Sequence, residues 1–222
     1  MQAFSAALDW PEMHGKLSGM IPDVRYAEGE LSIGGMLLIR AFDGAITVRD
    51  LRIARLFDVA SSLSADIKLD NLDLDALTRA FEFGNIQGRF SGKVDNLQLI
   101  DWRPVAFEAV FATPTDDKSR HRISQRAVEN ISQIGGSGIG GSLSRSFLRV
   151  FDEFSYDRIG ISCTLRNGVC SMNGVEPMGQ GYYLVKGGGL PRIDIVGYAH
   201  RVDWDTLLER IGSVTTATPE VR

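Results

Sequence analysis

Only three histidines and two cysteines occur among the 222 residues, and that scarcity removes most site chemistry at the outset. His14, His121 and His200 stand apart in sequence, without a carboxylate or nucleophile at a recognisable spacing, and neither G-x-S-x-G nor H-E-x-x-H occurs. Each histidine reads as a surface or loop residue, so no catalytic residue is assigned and the chain is not expected to be an enzyme. A zinc site needs three or four clustered ligands, and no histidine lies near the cysteines, so neither a metal nor a cofactor is expected. No run approaches the roughly eighteen apolar residues of a membrane-spanning helix. Charge of one sign is lacking too: 24 Lys and Arg stand against 28 Asp and Glu, with the bases scattered. That argues against nucleic acid as the main partner. Residues 1–10 have no basic segment followed by an apolar core, so they do not read as a secretory signal.

What the chain has in quantity is alternation. From Asn85 to Asp95 the residues Ile86, Gly88, Phe90, Gly92 and Val94 occupy one phase and polar residues the other, which predicts a half-buried antiparallel strand. Two of its five core-facing positions are glycine, so the strand either bends sharply or leaves room beneath it. The same period recurs in Leu31/Ile33, Ile46/Val48, Leu51/Ile53, Ala65/Ile67/Leu69, Leu97/Leu99 and Phe107/Ala109/Phe111. Gly34-Gly35, Asp43-Gly44 and Asp95-Asn96 read as turns between them. This is a meander of short strands. Between Leu69 and Ile86 the spacing of Leu72, Leu74, Leu77 and Phe81 is helical instead, with Asp73 or Asp75 available as cap. Asp66 and Asp70 fall in the polar phase of a strand, so the acidic cluster around them reads as a solvated face and a cap.

The second half changes character. Ile123, Ala127, Ile131 and Ile134 form an apolar stripe at helical spacing, and Leu143, Phe147, Phe151 and Phe154 form another. Between them lies a glycine hinge, Gly135 to Gly141, expected to dock both helices on the open face of the sheet. Its G-x-G-x-x-G match at Gly136, Gly138 and Gly141 lacks the preceding strand that a dinucleotide site needs. Cys163 and Cys170 bracket a hairpin, with Leu165 to Gly168 as a four-residue loop and Gly168 at positive φ. That geometry permits a disulfide in an oxidising compartment, and two free buried thiols are the alternative. Asp9-Trp10, Asp101-Trp102 and Asp203-Trp204 read as caps with an anchoring indole. Residues 1–212 read as one β-rich domain, and 213–222 as a frayed tail.

The last block, Gly181 to Tyr198, holds two strands joined by a glycine turn, and Val202 to Leu208 opens a capped helix. Together with Ala41-Phe42-Asp43-Gly44, Phe83 to Gly88, Asp101 to Phe107, Ile123 to Ala127 and Cys163 to Cys170, it resembles the C-terminal region of the YdbH-type proteins of Gram-negative bacteria. That is a branch of the AsmA-like superfamily that includes TamB and YhdP, and the resemblance covers nearly the whole chain. It implies a periplasmic setting, an inner-membrane anchor N-terminal to this sequence, a long sheet folded lengthwise into a groove, and phospholipid movement toward the outer membrane. The mid-strand character of residues 4–8 likewise suggests a piece of a longer polypeptide. The family's older label, dicarboxylate transport, is set aside, since nothing here reads as a transmembrane helix.

The expected fold is therefore mainly β with some helix: an antiparallel meander curled into a gutter or incomplete barrel, taco-like, with amphipathic helices packed at one end. The expected function is a lipid-conduit module. Ile86, Gly88, Phe90, Gly92, Val94, Leu97, Leu99, Phe107 and Phe111 are the candidate groove residues, and the expected partner is a phospholipid or other acyl lipid. The rival is a non-catalytic cap that docks an outer-membrane or envelope protein. A conduit should show an apolar groove open at an end, and a cap should show the sheet plugged by helices.

Overall fold

Alternating apolar residues can only be buried by a sheet that keeps them on one face, and the chain builds a large one. A computed structural model describes residues 16–27, 29–55, 61–134 and 151–215. Its main path is an antiparallel meander of β1 (Lys16–Ala27), β2 (Glu30–Ala41), β3 (Gly44–Ala54), β4 (Ser62–Asp73), β6 (Arg89–Ile100) and β7 (Arg103–Ala112). It continues through β9 (Glu153–Arg166), β10 (Val169–Gly174) and β14 (Arg201–Asp203). Short strands β5 (Ile86–Gln87) and β8 (Arg122–Ser124) branch from β9 on one side. β11 (Glu176–Met178), β12 (Gly181–Gly187) and β13 (Ile195–Gly197) branch from it on another. The sheet is open rather than closed, as the gutter expectation requires.

Register makes the apolar face continuous. Ile39, Ile46, Leu69, Gly92, Phe111 and Ile161 are successive cross-strand partners, and so are Leu37, Val48, Ile67, Val94, Ala109 and Cys163. These two rows lie side by side across six strands. The opposite face carries Thr47, Arg49, Asp66, Lys68, Lys93 and Glu108 in the alternate phase. The inner face curls because a line of bulges crosses it. Register slips between Ile33 and Met36, Arg49 and Arg52, Ala65 and Ile67, and Asp95 and Gln98, at matching heights on neighbouring strands. Each bulge bends its strand and raises the local twist, and their alignment turns separate kinks into one crease.

Gly34-Gly35 and Asp95-Asn96 therefore sit inside strands of 12 residues and are not turns. The strands expected before and after Asp95-Asn96 are parts of one strand, β6, and Ile46/Val48 and Leu51/Ile53 likewise belong together in β3. Asp50 and Asn96 take left-handed φ values of 50° and 54° at the bulges, and Asp66 Oδ1 accepts the Asn96 N–H at 2.7 Å.

Helix α1 (Leu74–Ala80) occupies the expected gap. Asp73 is its cap, accepting the Ala76 N–H at 2.9 Å, while Asp75 in the first turn pairs with Arg79. Helix α2 (Gln125–Ile134) buries Ala127 and Val128 in the main core. Ile123, expected at its start, lies one step earlier in β8. Helix α3 (Trp204–Thr215) is capped by Asp203, which accepts the Thr206 N–H at 2.9 Å. It runs through Ser213 to Thr215, into the segment expected to fray.

Phe154, expected on a second amphipathic helix, is instead fully buried in β9, because Ile123 and Phe154 are cross-strand partners. The rest of that helix up to residue 150, the glycine hinge, His14 and Asp9-Trp10 lie outside the described residues. Asp101-Trp102 is a two-residue turn between β6 and β7 with both φ values positive, and its indole is 61% exposed rather than anchored. Trp204 does anchor, edge-on to Phe107 at 5.3 Å between ring centroids.

Cys163 and Cys170 are bridged, with Cα atoms 5.5 Å apart. The turn is Asn167-Gly168, with φ of 51° and 71°, and not four residues. Cys170 thus faces Leu165 and Cys163 faces Met172, so the bridge runs diagonally across the inner face. A short loop limits the entropy that a bridge removes from the unfolded chain, to about 2 kcal/mol. Cys163→Ser with Cys170→Ser should lower the melting temperature by about 5 °C without loss of the fold, measured by circular dichroism. An unchanged melting temperature would show that the bridge adds nothing.

Candidate functional site

The apolar face divides into a closed part and an open part. Leu74, Ile86, Ile123, Phe154, Tyr156, Tyr182 and Val185 make the main core, sealed by α1, α2 and the β11–β13 branch. A smaller cluster of Phe107, Ala109 and Leu165 lies beneath Trp204 at the start of α3, with Val94 and Leu97 beside it. On β2, β3 and β4, however, Leu37, Ile39, Ile46, Val48, Ile67 and Leu69 remain half-buried. Full burial of one such side chain is worth roughly 1.5–3 kcal/mol. An apolar channel several strands wide that forgoes this gain is the feature of the fold most in need of an occupant.

The sequence-predicted groove residues fall on both sides of the division. Ile86 belongs to the main core and Phe90 packs against it, the Phe90 ring stacked on Phe111 at 5.8 Å. Val94, Leu97, Phe107 and Phe111 gather around the cluster beneath Trp204. Leu99 lies further out, opposite Leu63 and Pro104. Leu37, Ile39, Ile46, Val48 and Ile67 extend the same half-buried face onto β2, β3 and β4, outside both clusters.

Gly88 and Gly92 do not open space. Gly88 has φ of 140° and ends the small β5 strand, so the chain leaves one sheet for the other there, and the uninterrupted Asn85 to Asp95 strand is broken. A Cβ at Gly88 would collide with the Tyr156 hydroxyl, and one at Gly92 with the Phe111 ring and the Val110 carbonyl. Of the two expectations for these glycines, close approach and bending are what the geometry displays.

That junction carries a polar cluster the sequence reading missed. Asp117, whose side chain is only 3% exposed, accepts hydrogen bonds from the Arg89 and Ser119 N–H groups, both at 2.8 Å, and meets His121 Nε2 at 2.9 Å. The His121 ring stacks on Tyr156 at 4.9 Å, and the Tyr156 hydroxyl donates to the Gln87 carbonyl at 2.5 Å. Burial alone would raise the Asp117 carboxyl. The donors from Ser119, His121 and Arg89 outweigh it and hold the group down to about 2. Burial pushes the Tyr156 phenol up, and the Asp117 charge adds to this. The cluster braces the β5–β6 junction. Among the described residues no acidic, histidine and cysteine group is arranged to hold a metal.

At the other end of the sheet, where the β6–β7 and β9–β10 turns meet the start of α3, lies a cleft of about 1120 Å³. Trp102, Val105, Trp204 and Leu208 give it apolar walls, with Arg103 and Arg166 on the strand side. The main core thus lies toward one end of the strands, and the cleft lies at the other end of β6, β7 and β9. No described helix is long and apolar enough to cross a membrane. Comparison with protein-family models, with curated proteins and with solved structures finds no match.

Two outcomes follow from this geometry. Gly92→Leu should destabilise the protein by about 1–3 kcal/mol or more through overpacking against Phe111, read by thermal or urea unfolding; a stability equal to the parent would mean that the space is open after all. Because the folded Asp117 carboxyl lies below its ordinary value of 3.8, its contribution is complete above about pH 4 and fades as pH falls toward 2. Asp117→Asn should cost about 2 kcal/mol at neutral pH and flatten this part of the acid-unfolding curve. An acid curve identical to the parent's contradicts the bracing role.

Proposed function

We propose that this chain is a lipid-binding module whose inner sheet face receives acyl chains, as part of a periplasmic bridge between membranes. One observation carries the reading: two adjacent apolar rows run across six strands, and all of their residues but Ala109 stay half-buried. An acyl chain is apolar, narrow and long, and a creased sheet offers it contact along its length without any polar group to desolvate. Specificity for the chain itself is not required of such a surface, so the absence of a convergent polar site within the channel fits. The resemblance to the YdbH-type C-terminal region supports the same function and the same compartment, as does a disulfide beside the channel.

A second reading is favoured by the plugged end. Helices α1 and α2 with the β11–β13 branch close the sheet over the main core, as a terminal cap that docks an envelope partner would require. On the proposed reading both hold at once: the plug ends the channel, and the channel runs from the plug to the open cleft.

Val48→Glu or Ile67→Glu places a charge on the channel floor at half-exposed positions. Each should reduce co-purifying or photo-crosslinked lipid by about tenfold, since burying an acyl chain against an unpaired carboxylate costs more than the contacts return. Thr47→Glu and Lys68→Glu, in the opposite phase, should leave lipid loading unchanged. If all four variants load alike while remaining folded, the channel does not hold lipid.

A further inference from the structure

We infer that the cleft at the open end is a headgroup subsite for a zwitterionic glycerophospholipid, an assignment that rests on the acyl-channel reading above. The cleft is two-sided in charge. Arg103 from β7 and Arg166 from β9 line the strand wall, and Asp205 and Glu209, one helical turn apart on α3, line the helix wall. Trp102 and Trp204 line the cleft as well.

These opposite charges do not neutralise each other. Arg166 is committed to Glu108 at 2.9 Å and to the Leu165 carbonyl at 2.9 Å, both away from the helix wall. Among the described residues Arg103, Asp205 and Glu209 form no ion pair, although all three face one cleft. A ligand with both signs of charge a few bonds apart satisfies both walls together. A phosphate takes the planar donors of the Arg103 guanidinium, and an ammonium takes the carboxylates and an indole face. A purely anionic headgroup would leave Asp205 and Glu209 repelling it, and an uncharged glyceride would leave Arg103 without a partner.

The position of the cleft agrees with that chemistry. Val105 and Leu208 line the cleft, and Trp204, which lines it too, packs edge-on to Phe107 of the inner-face cluster, so a headgroup seated in the cleft lies beside that face. Tryptophan suits this boundary because its ring has an apolar body and one polar N–H.

The test is native mass spectrometry of the full chain after incubation with an equimolar mixture of phosphatidylethanolamine, phosphatidylglycerol and diacylglycerol bearing identical acyl chains. The parent should retain phosphatidylethanolamine over phosphatidylglycerol by about fivefold, the scale expected of partly exposed charge pairs. Asp205→Lys combined with Glu209→Lys should reverse that preference, and Arg103→Glu should lower both phospholipids relative to diacylglycerol. All three substitutions lie at exposed positions, and melting curves confirm that each variant is folded. Equal loading of the three lipids that Ile67→Glu still abolishes would overturn the headgroup subsite and leave the channel standing. Failure to load any of them would overturn both.

Discussion

An antiparallel sheet whose strands all keep the same phase has one wholly apolar face, and that face must be covered, curled or occupied. Here the cross-strand pairing from β2 to β9 is regular enough to set leucine, isoleucine and valine side by side over six strands. The three helices among the described residues, of 7, 10 and 12 residues, settle over the C-terminal strands. Curling does part of the remaining work. Bulges aligned from strand to strand crease the sheet at one height, which brings the inner side chains closer together and leaves them half-buried rather than bare. The sealed core lies where the described helices sit.

The boundary between the two parts is held at Gly88. A chain that leaves the small β5–β8 pairing and enters the large sheet must change direction within one residue, and a φ of 140° does so. Tyr156 then reaches over the glycine to the Gln87 carbonyl, while Asp117 holds the next N–H, that of Arg89. These bonds pin the chain immediately before and after the turn. His121 links the two by touching both Asp117 and Tyr156. A buried carboxylate is costly unless its lone pairs are filled, and three donors fill them here, so the group that braces the junction is itself stabilised by the junction's geometry.

Much of this was legible in the sequence, for physical reasons particular to each element. A period of two fixes which residues share a face whatever the strands' lengths, so the apolar phase of Ile46, Val48, Ile67 and Leu69 could be assigned from spacing alone. Asp73 before a helical spacing and Asp203 before Trp204 are local capping signals, and both act as caps. Strand lengths were not legible. Gly34-Gly35 and Asp95-Asn96 favour left-handed backbone equally in a turn and in a bulge, and only the partner strand decides between them. The diagonal position of the disulfide had the same origin, since Asn-Gly closes a two-residue turn and so shifts the pairing expected for a longer loop. The Asp117–His121 contact lies in an irregular segment where a spacing of four carries no implication of proximity. Tyr156 completes that cluster from far along the chain. The groove list drawn from Asn85 to Phe111 concentrated on the C-terminal side of the apolar face, where Trp204 and the main core lie. Coverage is a tertiary property, and alternation is blind to it.

The two ends of the channel differ in a way that bears on direction. At the plugged end the apolar rows run into Phe90, Phe111 and the main core, so a long apolar guest meets packed side chains with no space between them. At the other end of β6, β7 and β9 lies a cleft whose walls combine tryptophan with separated opposite charges. A guest with an apolar tail and a polar head gains from only one orientation in such a setting: tail toward the plug and head at the mouth. The reverse would bury a charged head against Val94 and Ala109 and expose the tail to water, losing on both terms. On the proposed reading, then, the polarity of the channel is set by where α3 begins. The Trp204 N–H bonds the Gly168 carbonyl at 2.9 Å, which fixes the helix start, and with it Asp205 and Glu209, beside the turn that ends β9. A helix begun several residues later would leave Phe107 and Leu165 bare and the mouth without its acidic wall.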